Sequence, residues 1–240
     1  MFHRPVDLPP LHPRDMTDDG PYIGSSLHND VMMWLFGLLR SIEKTGRVSW
    51  HVTGLFGMNI PWDDGRIDHF FADLTLYPTT VDPTAETIDL DLEGPPLLVL
   101  EIADIAAAKE MAADSDLTEA KAALYEAIGV RHYLVYDLEI ARAGRGVPIW
   151  ARRAAVSGGW EPWEADERGL WVSETAGVAF SPAGEGDRVS LRVWGPDGEP
   201  YLTEAEYLDR GRRRAEEERA AVAEAKLTLL RARYRRERPR

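Results

Sequence analysis

Three charged residues lie within largely apolar stretches of the sequence, and their side-chain types suit metal-assisted hydrolysis. Asp73 lies within "HFFADLTLYP", Glu101 follows the apolar run in "PPLLVLEIADI", and Lys121 comes twenty residues later. Two carboxylates suit Mg²⁺, which takes oxygen ligands and keeps several waters. Such an ion lowers the pKa of a bound water and offsets charge on a phosphodiester. The lysine would orient that water or stabilise the charge of the transition state.

Each of these residues also has an ordinary structural explanation. The strand could end at Leu100, which would leave Glu101 in water. Asp73 fits simple alternation on a strand with one wet face, although aspartate is a poor strand residue. Lys121 is the kind of exposed lysine expected on an amphipathic helix. Tyr125, one turn later on the same helix face, is expected in the core.

The elements that must position these side chains form an α/β pattern. An amphipathic helix is predicted from Ser25 or Ser26 to Gly46, followed by strand-like runs at 47–56 and 69–78. The acidic segment 81–94 is predicted to be a loop. A buried strand at 97–102, a helix at 115–130 and a second apolar strand at 131–138 then predict a βαβ crossover, and hence a parallel pair in a mixed sheet.

The remaining segments differ in character from this centre. Residues 1–22 are polar and proline-rich and predict an extended arm. Residues 148–201 contain short strands and turns, which predict a β-rich elaboration. Residues 203–236 are rich in Ala, Glu and Arg and predict a long charged helix. This helix has a weak coiled-coil seam, through which it could pair with a second copy or another partner. The seam residues are Leu208, Ala215, Val222 and Leu229.

Composition removes several classes of site. The chain has no cysteine, so disulfides, thiolate metal sites and a cysteine nucleophile are excluded. We find no phosphate loop, HExxH, GxSxG or dinucleotide-binding glycine motif. With neither a signal peptide nor an apolar run long enough to span a bilayer, we expect a soluble, cytoplasmic protein without a membrane partner.

Charge is distributed unevenly along the chain. The net charge is −13, and residues 201–240 hold 12 basic and 8 acidic residues, so the excess of acid lies in the first 200 residues. An acidic body does not attract nucleic acid by its overall field. A phosphate-handling site therefore needs a metal ion, a local basic patch or the tail "RARYRRERPR". A solvated helix end is the simpler interpretation of that tail.

Three segments in this order resemble the Uma-two family: "FFADLTLYP", "GPPLLVLEIAD" and "DLTEAKAALYEAIGVRHYLVYD". These bacterial proteins are described as candidate restriction endonucleases of the PD-(D/E)XK nuclease superfamily. Asp73 and Glu101 match the family's two acidic positions, while Lys121 and Tyr125 match its helix lysine and tyrosine. His28 resembles a histidine often found in its first helix.

The resemblance implies a restriction-endonuclease-like mixed sheet flanked by helices, with a β-rich C-terminal elaboration and a long charged C-terminal helix. It implies Mg²⁺ or Mn²⁺ held by Asp73 and Glu101, catalysis that also uses Lys121, and DNA as partner. Pattern and resemblance together lead us to expect an extended N-terminal arm at 1–22, a nuclease-like domain at 23–202 and a charged C-terminal helix at 203–240. Within the domain, the core is expected at 26–140 and the β-rich elaboration at 148–202.

The chain departs from the family pattern near the proposed site. Ala72 replaces the proline before Asp73, and "ADIAAAKEMAADSD" replaces the usual Ser-Pro turn after the glutamate. Ala103 stands where the superfamily has its strand lysine, and Lys109 is a second candidate for that role. Two functions follow as hypotheses: a metal-dependent endonuclease, or a catalytically inactive relative that acts as an interaction or regulatory module through its C-terminal helix.

Overall fold

The computed structural model describes residues 2–4, 26–54, 57–79, 87–103, 116–184 and 188–237. Most of the predicted arm at 1–22 and all of the loop carrying Lys109 lie outside these ranges. The chain forms two compact units, Met1–Tyr201 and Leu202–Arg240. Within the described residues, no helix has both the length and the apolar character needed to cross a bilayer.

A six-stranded mixed sheet forms the centre of the first unit. Its strands are β1 (Trp50–Gly54), β4 (Leu74–Pro78), β6 (Leu98–Ala103), β7 (His132–Asp137), β8 (Ile149–Ala154) and β9 (Trp160–Pro162). Their order is β1-β4-β6-β7-β8-β9, and among these described strands only the β6–β7 pair is parallel.

The parallel pair is the predicted βαβ crossover. Helix α3 (Asp116–Ala127) connects β6 to β7, and Gly129 ends the turn after the helix with a φ of 84°. A positive φ is costly for residues with a Cβ, so glycine suits this position. Helix α4 (Leu138–Ala143) follows β7 and begins at Asp137, whose carboxylate accepts the Ile140 N–H at 2.9 Å.

Both faces of the six-stranded sheet are buried. Helix α1 (Ser26–Lys44) packs with a small sheet on one face, and that sheet consists of β10 (Trp171–Ser173), β11 (Val178–Ala183) and β12 (Ser190–Trp194). On the other face, α3 packs with β2 (Gly57–Pro61), β3 (Ile67–Phe71) and β5 (Thr87–Asp89). Burial on both sides explains why β6 and β7 are almost continuously apolar.

These observations confirm an α/β fold with a mixed sheet flanked by helices and a β-rich C-terminal part. Two local predictions are wrong. The run 69–78 is two strands rather than one, because the chain leaves β3 at Phe71 and enters β4, in the other sheet, at Leu74. The segment 81–94, predicted as a loop, contains β5 and the short helix α2 (Leu90–Glu93), which begins where Asp89 accepts the Asp91 N–H.

The second unit contains the predicted long charged helix, α5 (Glu204–Glu237). Thr203 and Glu206 form a capping box, in which the Thr203 hydroxyl accepts the Glu206 N–H and the Glu206 carboxylate accepts the Thr203 N–H at 2.9 Å. Three seam positions, Leu208, Ala215 and Val222, are exposed. Local pairs such as Arg213–Asp209 support the helix from within.

Candidate active site

Asp73 lies where the sheet ladder stops. The β4–β6 register ends at Leu74 opposite Leu100, so Asp73 stands at the next position, opposite Glu101. Its Oδ2 accepts the Ile102 backbone N–H at 2.7 Å, which satisfies a donor of β6 that the departing strand no longer pairs. Asp73 is buried at 6% exposure, which rules out the wet-face interpretation of this residue.

Glu101 also points into the protein rather than into water. Strand β6 continues to Ala103, and Glu101 is 6% exposed on the sheet face that α3 covers. Burying a carboxylate is costly unless donors or cations compensate it. Its two oxygens accept one donor each, and both donors come from α3.

The first donor is Tyr125, whose O–H donates to Glu101 Oε1 at 2.6 Å. Burial raises the pKa of Tyr125 well above its ordinary value, and the Glu101 charge raises it further, so the hydroxyl remains protonated. Tyr125 also packs edge-on against Phe70, with ring centroids 5.4 Å apart. The prediction that Tyr125 is a core residue holds, and the same side chain fixes the carboxylate.

The second donor is Lys121, whose Nζ donates to Glu101 Oε2 at 3.2 Å. The ammonium also lies 5.4 Å from the centre of the Phe70 ring, within cation–π range. Its side chain is 19% exposed, so the helix lysine lies between the buried carboxylate and solvent. Phe70 was not among the predicted site residues, and no spacing in the sequence indicates that it underlies Lys121.

The two carboxylates interact electrostatically. Burial raises the pKa of Glu101 to about 7, the Lys121 charge opposes that shift, and the Asp73 charge adds to it. The Tyr125 and Lys121 hydrogen bonds also favour the ionised form. A group poised near neutrality beside a second carboxylate is the electrostatic situation that a bound cation relieves.

His28 reaches the same region from α1. It is 7% exposed, and its Nε2 lies 3.5 Å from Asp73 Oδ1. The structure therefore brings together five of the six residues singled out from the sequence: His28, Asp73, Glu101, Lys121 and Tyr125. Lys109, the sixth, lies outside the described residues.

The site offers a metal ion few protein ligands. Among the described residues, no group of three His, Asp or Glu side chains is arranged to hold a metal. The donor chemistry does fit a hard cation with two carboxylate ligands, because Mg²⁺ is commonly bound by one or two carboxylates and otherwise by water and substrate oxygens. The residues that would hold it are Asp73 and Glu101.

Comparison with solved structures finds proteins that are similar to this chain. No protein-family model matches the chain, and no curated protein matches it. A crystal structure of "a putative nuclease belonging to DUF820" from Anabaena variabilis is 11% identical, with a TM-score of 0.41 over 58% of this chain and 68% of the other. A likeness of this size does not establish a common fold or activity.

Proposed function

We propose that this chain is a metal-dependent endonuclease that hydrolyses phosphodiester bonds in DNA. The observation that carries the proposal is the buried pairing of Glu101 with Lys121 and Tyr125, next to Asp73 on the adjoining strand. In sheets of this kind, ligands gather beyond the carboxyl ends of parallel strands, and Glu101 lies near that end of β6. The mixed sheet with helices on both faces is also the architecture that the Uma-two resemblance implies.

Each residue has a role that its contacts support. Asp73 and Glu101 would hold Mg²⁺ or Mn²⁺, which supplies an activated water and charge compensation for the phosphodiester when it is bound. Tyr125 holds Glu101 Oε1 and cannot compete as an anion, because it stays protonated. Lys121 presents an ammonium at the solvent side, where it can contact a phosphate oxygen as negative charge develops.

His28 acts on Asp73 rather than on substrate in this proposal. Its imidazole lies beside Oδ1, while the Ile102 N–H occupies Oδ2, so the carboxylate is held from both sides. Residues that orient a ligand in this way commonly change metal affinity or activity by about 10- to 100-fold when they are replaced. His28 is therefore assigned as a positioning residue.

A nicking assay tests the proposal. We expect supercoiled plasmid to be nicked in Mg²⁺ or Mn²⁺, and nicking to stop under chelation. Glu101→Ala should lose the activity, whereas Arg153→Ala, a half-exposed residue paired with Glu161 away from the site, should keep it. Equal nicking by wild-type and Glu101→Ala proteins would assign the activity to a contaminant.

The alternative is a catalytically inactive relative whose α5 serves as an interaction module. Two observations favour it: both Glu101 oxygens already accept hydrogen bonds within the protein, and the described part of the chain holds no three-residue metal cluster. The exposed seam residues of α5 would then contact a partner or a second copy. Plasmid nicking that depends on Glu101 would exclude this alternative.

A further inference from the structure

A row of residues crosses the central sheet from the candidate site to an exposed aromatic side chain. Glu101 on β6 is in register with Val135 on β7, and Val135 is in register with Trp150 on β8. Residues directly opposite one another share a sheet face. Strands lie about 4.8 Å apart, so the Trp150 backbone is about 10 Å from that of Glu101 on the same face.

Trp150 is exposed where its neighbours are buried. The residue is 36% exposed, whereas Tyr133, in edge contact with it at 5.7 Å between centroids, is 1% exposed. Tyr133 in turn contacts Tyr125 at 4.9 Å, and Tyr125 holds Glu101. A chain of packed rings therefore connects the candidate site to Trp150, which fixes the indole relative to Glu101.

Arg152 adds a cation at the same place. It is two residues from Trp150 on the same strand face, and its guanidinium lies 5.3 Å from the centre of the Trp150 ring. Arg153, the next residue, belongs to the opposite face and pairs with Glu161 at 2.7 Å. Two adjacent arginines of one strand thus have different surroundings: the Arg152 guanidinium lies over the indole ring, and the Arg153 guanidinium pairs with Glu161.

The stretch of sequence around Trp150 differs in the sign of its charge from the whole chain. Residues 131–153, which comprise β7, α4 and most of β8, hold five arginines against Asp137 and Glu139, while the whole chain carries −13. A basic segment that includes an exposed aromatic residue has the chemistry of a single-stranded nucleic-acid platform, in which rings stack on bases and cations follow the phosphates.

We propose that Trp150 and Arg152 form a base-stacking subsite for an unpaired nucleotide strand that leads to the candidate active site. A base stacks on the exposed part of the indole, and the Arg152 guanidinium contacts the adjoining phosphate. The subsite deepens the proposed nuclease function, on which its biological meaning rests. It specifies that the strand is unpaired near Glu101, since stacking on Trp150 requires an accessible base face.

Binding without metal tests the subsite separately from cleavage. The probe is fluorescently labelled dT12 in EDTA at low salt, followed by anisotropy, with U12 and a 12-base-pair duplex as competitors. We expect Trp150→Ala to weaken dT12 binding by about 5- to 150-fold, the range of one stacked base. Trp150→Phe should stay close to wild type, because it keeps a ring.

The two arginines provide a matched pair of variants. Arg152→Ala should weaken dT12 binding and reduce the slope of log affinity against log salt by about 0.7, the value for one phosphate contact on a single strand. Arg153→Ala should match wild type in both measurements. Unchanged thermal midpoints identify variants that remain folded.

Several results would overturn the subsite. They are no dT12 binding by the wild-type protein, equal binding by Trp150→Ala, equal losses in the two arginine variants, or displacement of dT12 as readily by duplex as by unlabelled dT12. Displacement by U12 as well as by dT12 supports a platform that reads the base face. Trp150-dependent binding without any nicking would support the subsite and contradict only the proposed nuclease activity.

Discussion

The central sheet carries a buried polar cluster on each face, and the two clusters differ in kind. On the α3 face, Glu101 is bonded by Lys121 and Tyr125. On the α1 face, the His132 cluster consists of His132, Ser173 and Thr175, with both hydroxyl oxygens 3.0–3.2 Å from His132 Nδ1. The Glu174 carboxylate, which is largely exposed, lies 3.8 Å from His132 Nε2. Both central residues, Glu101 and His132, are 6% exposed.

The difference lies in charge and in access to solvent. Burial lowers the pKa of His132 to about 4, so the ring is neutral near pH 7 and packs against Trp163 at 4.7 Å between centroids. Glu101 instead has its pKa raised to about 7 by burial and pairs with a lysine whose side chain is partly exposed. Burial alone therefore does not distinguish the two clusters, whereas the converging charges at Glu101 are the feature that marks a candidate site.

The largest expected effect separates the clusters by activity. Glu101→Gln should lower the nicking rate by about 100-fold or more, because it removes a proposed metal ligand. The same change should leave the thermal midpoint at pH 8 unchanged or higher, since a buried charge is removed and the shape is kept. A variant that loses both activity and stability would show that Glu101 is structural.

The next effect should appear in stability alone. His132→Ala removes a packed ring and its hydrogen bonds, so we expect about 1–3 kcal/mol less free energy of unfolding in urea. Nicking per folded molecule should stay near the wild-type rate, because His132 belongs to the opposite face. A strong loss of activity in folded His132→Ala protein would mean that the two faces are coupled.

A smaller effect concerns a single hydroxyl on each face. Tyr125→Phe removes the donor to Glu101 and should lower the nicking rate about 10-fold. Tyr136→Phe is the matched control, because its hydroxyl donates to the Ser190 carbonyl on the other face at 3.0 Å. We expect that control to change stability by about 1 kcal/mol and activity very little. Equal rates in the two variants would remove the positioning role of Tyr125.

The smallest effect is an opposite response to pH. The folded pKa of Glu101 is raised from 4.5 to about 7, so its contribution to stability falls as pH rises through that range. The folded pKa of His132 is lowered from 6.5 to about 4, so its contribution is lost as pH falls through that range. Relative to wild type, the thermal midpoint of Glu101→Gln should rise by a few degrees as pH increases from 4 to 8. The midpoint of His132→Gln relative to wild type should instead rise by a few degrees as pH decreases over the same range.

The βαβ unit and the order of the candidate site residues along it could be predicted from the sequence. Continuous apolar runs and the Gly129 stop fix β6, α3 and β7, and these elements bring Glu101 together with Lys121 and Tyr125. Helical spacing of 121 and 125 places both on one face without any knowledge of the sheet.

Other features depend on contacts that local pattern does not contain. The sequence predicts one unbroken strand across Ala72–Asp73, because polar and apolar residues alternate there as they do within a strand. It gives no sign that the chain changes sheet at this point. His132 gave no signal, since its partners Ser173 and Thr175 lie more than forty residues away. The position of Trp150 relative to Glu101 depends on the register of three strands, which the sequence does not specify.

Thermal unfolding during a Mn²⁺ titration at pH 8 tests the central claim, that Asp73 and Glu101 share a divalent cation. At 100 times Kd, binding to the folded state adds about 2.7 kcal/mol, which for a chain of this size raises the midpoint by about 5–10 °C. We expect that shift in the wild-type protein and its loss in both Asp73→Asn and Glu101→Gln. A wild-type midpoint that does not respond to Mn²⁺ or Mg²⁺, or variants that shift as far as wild type, would contradict the account.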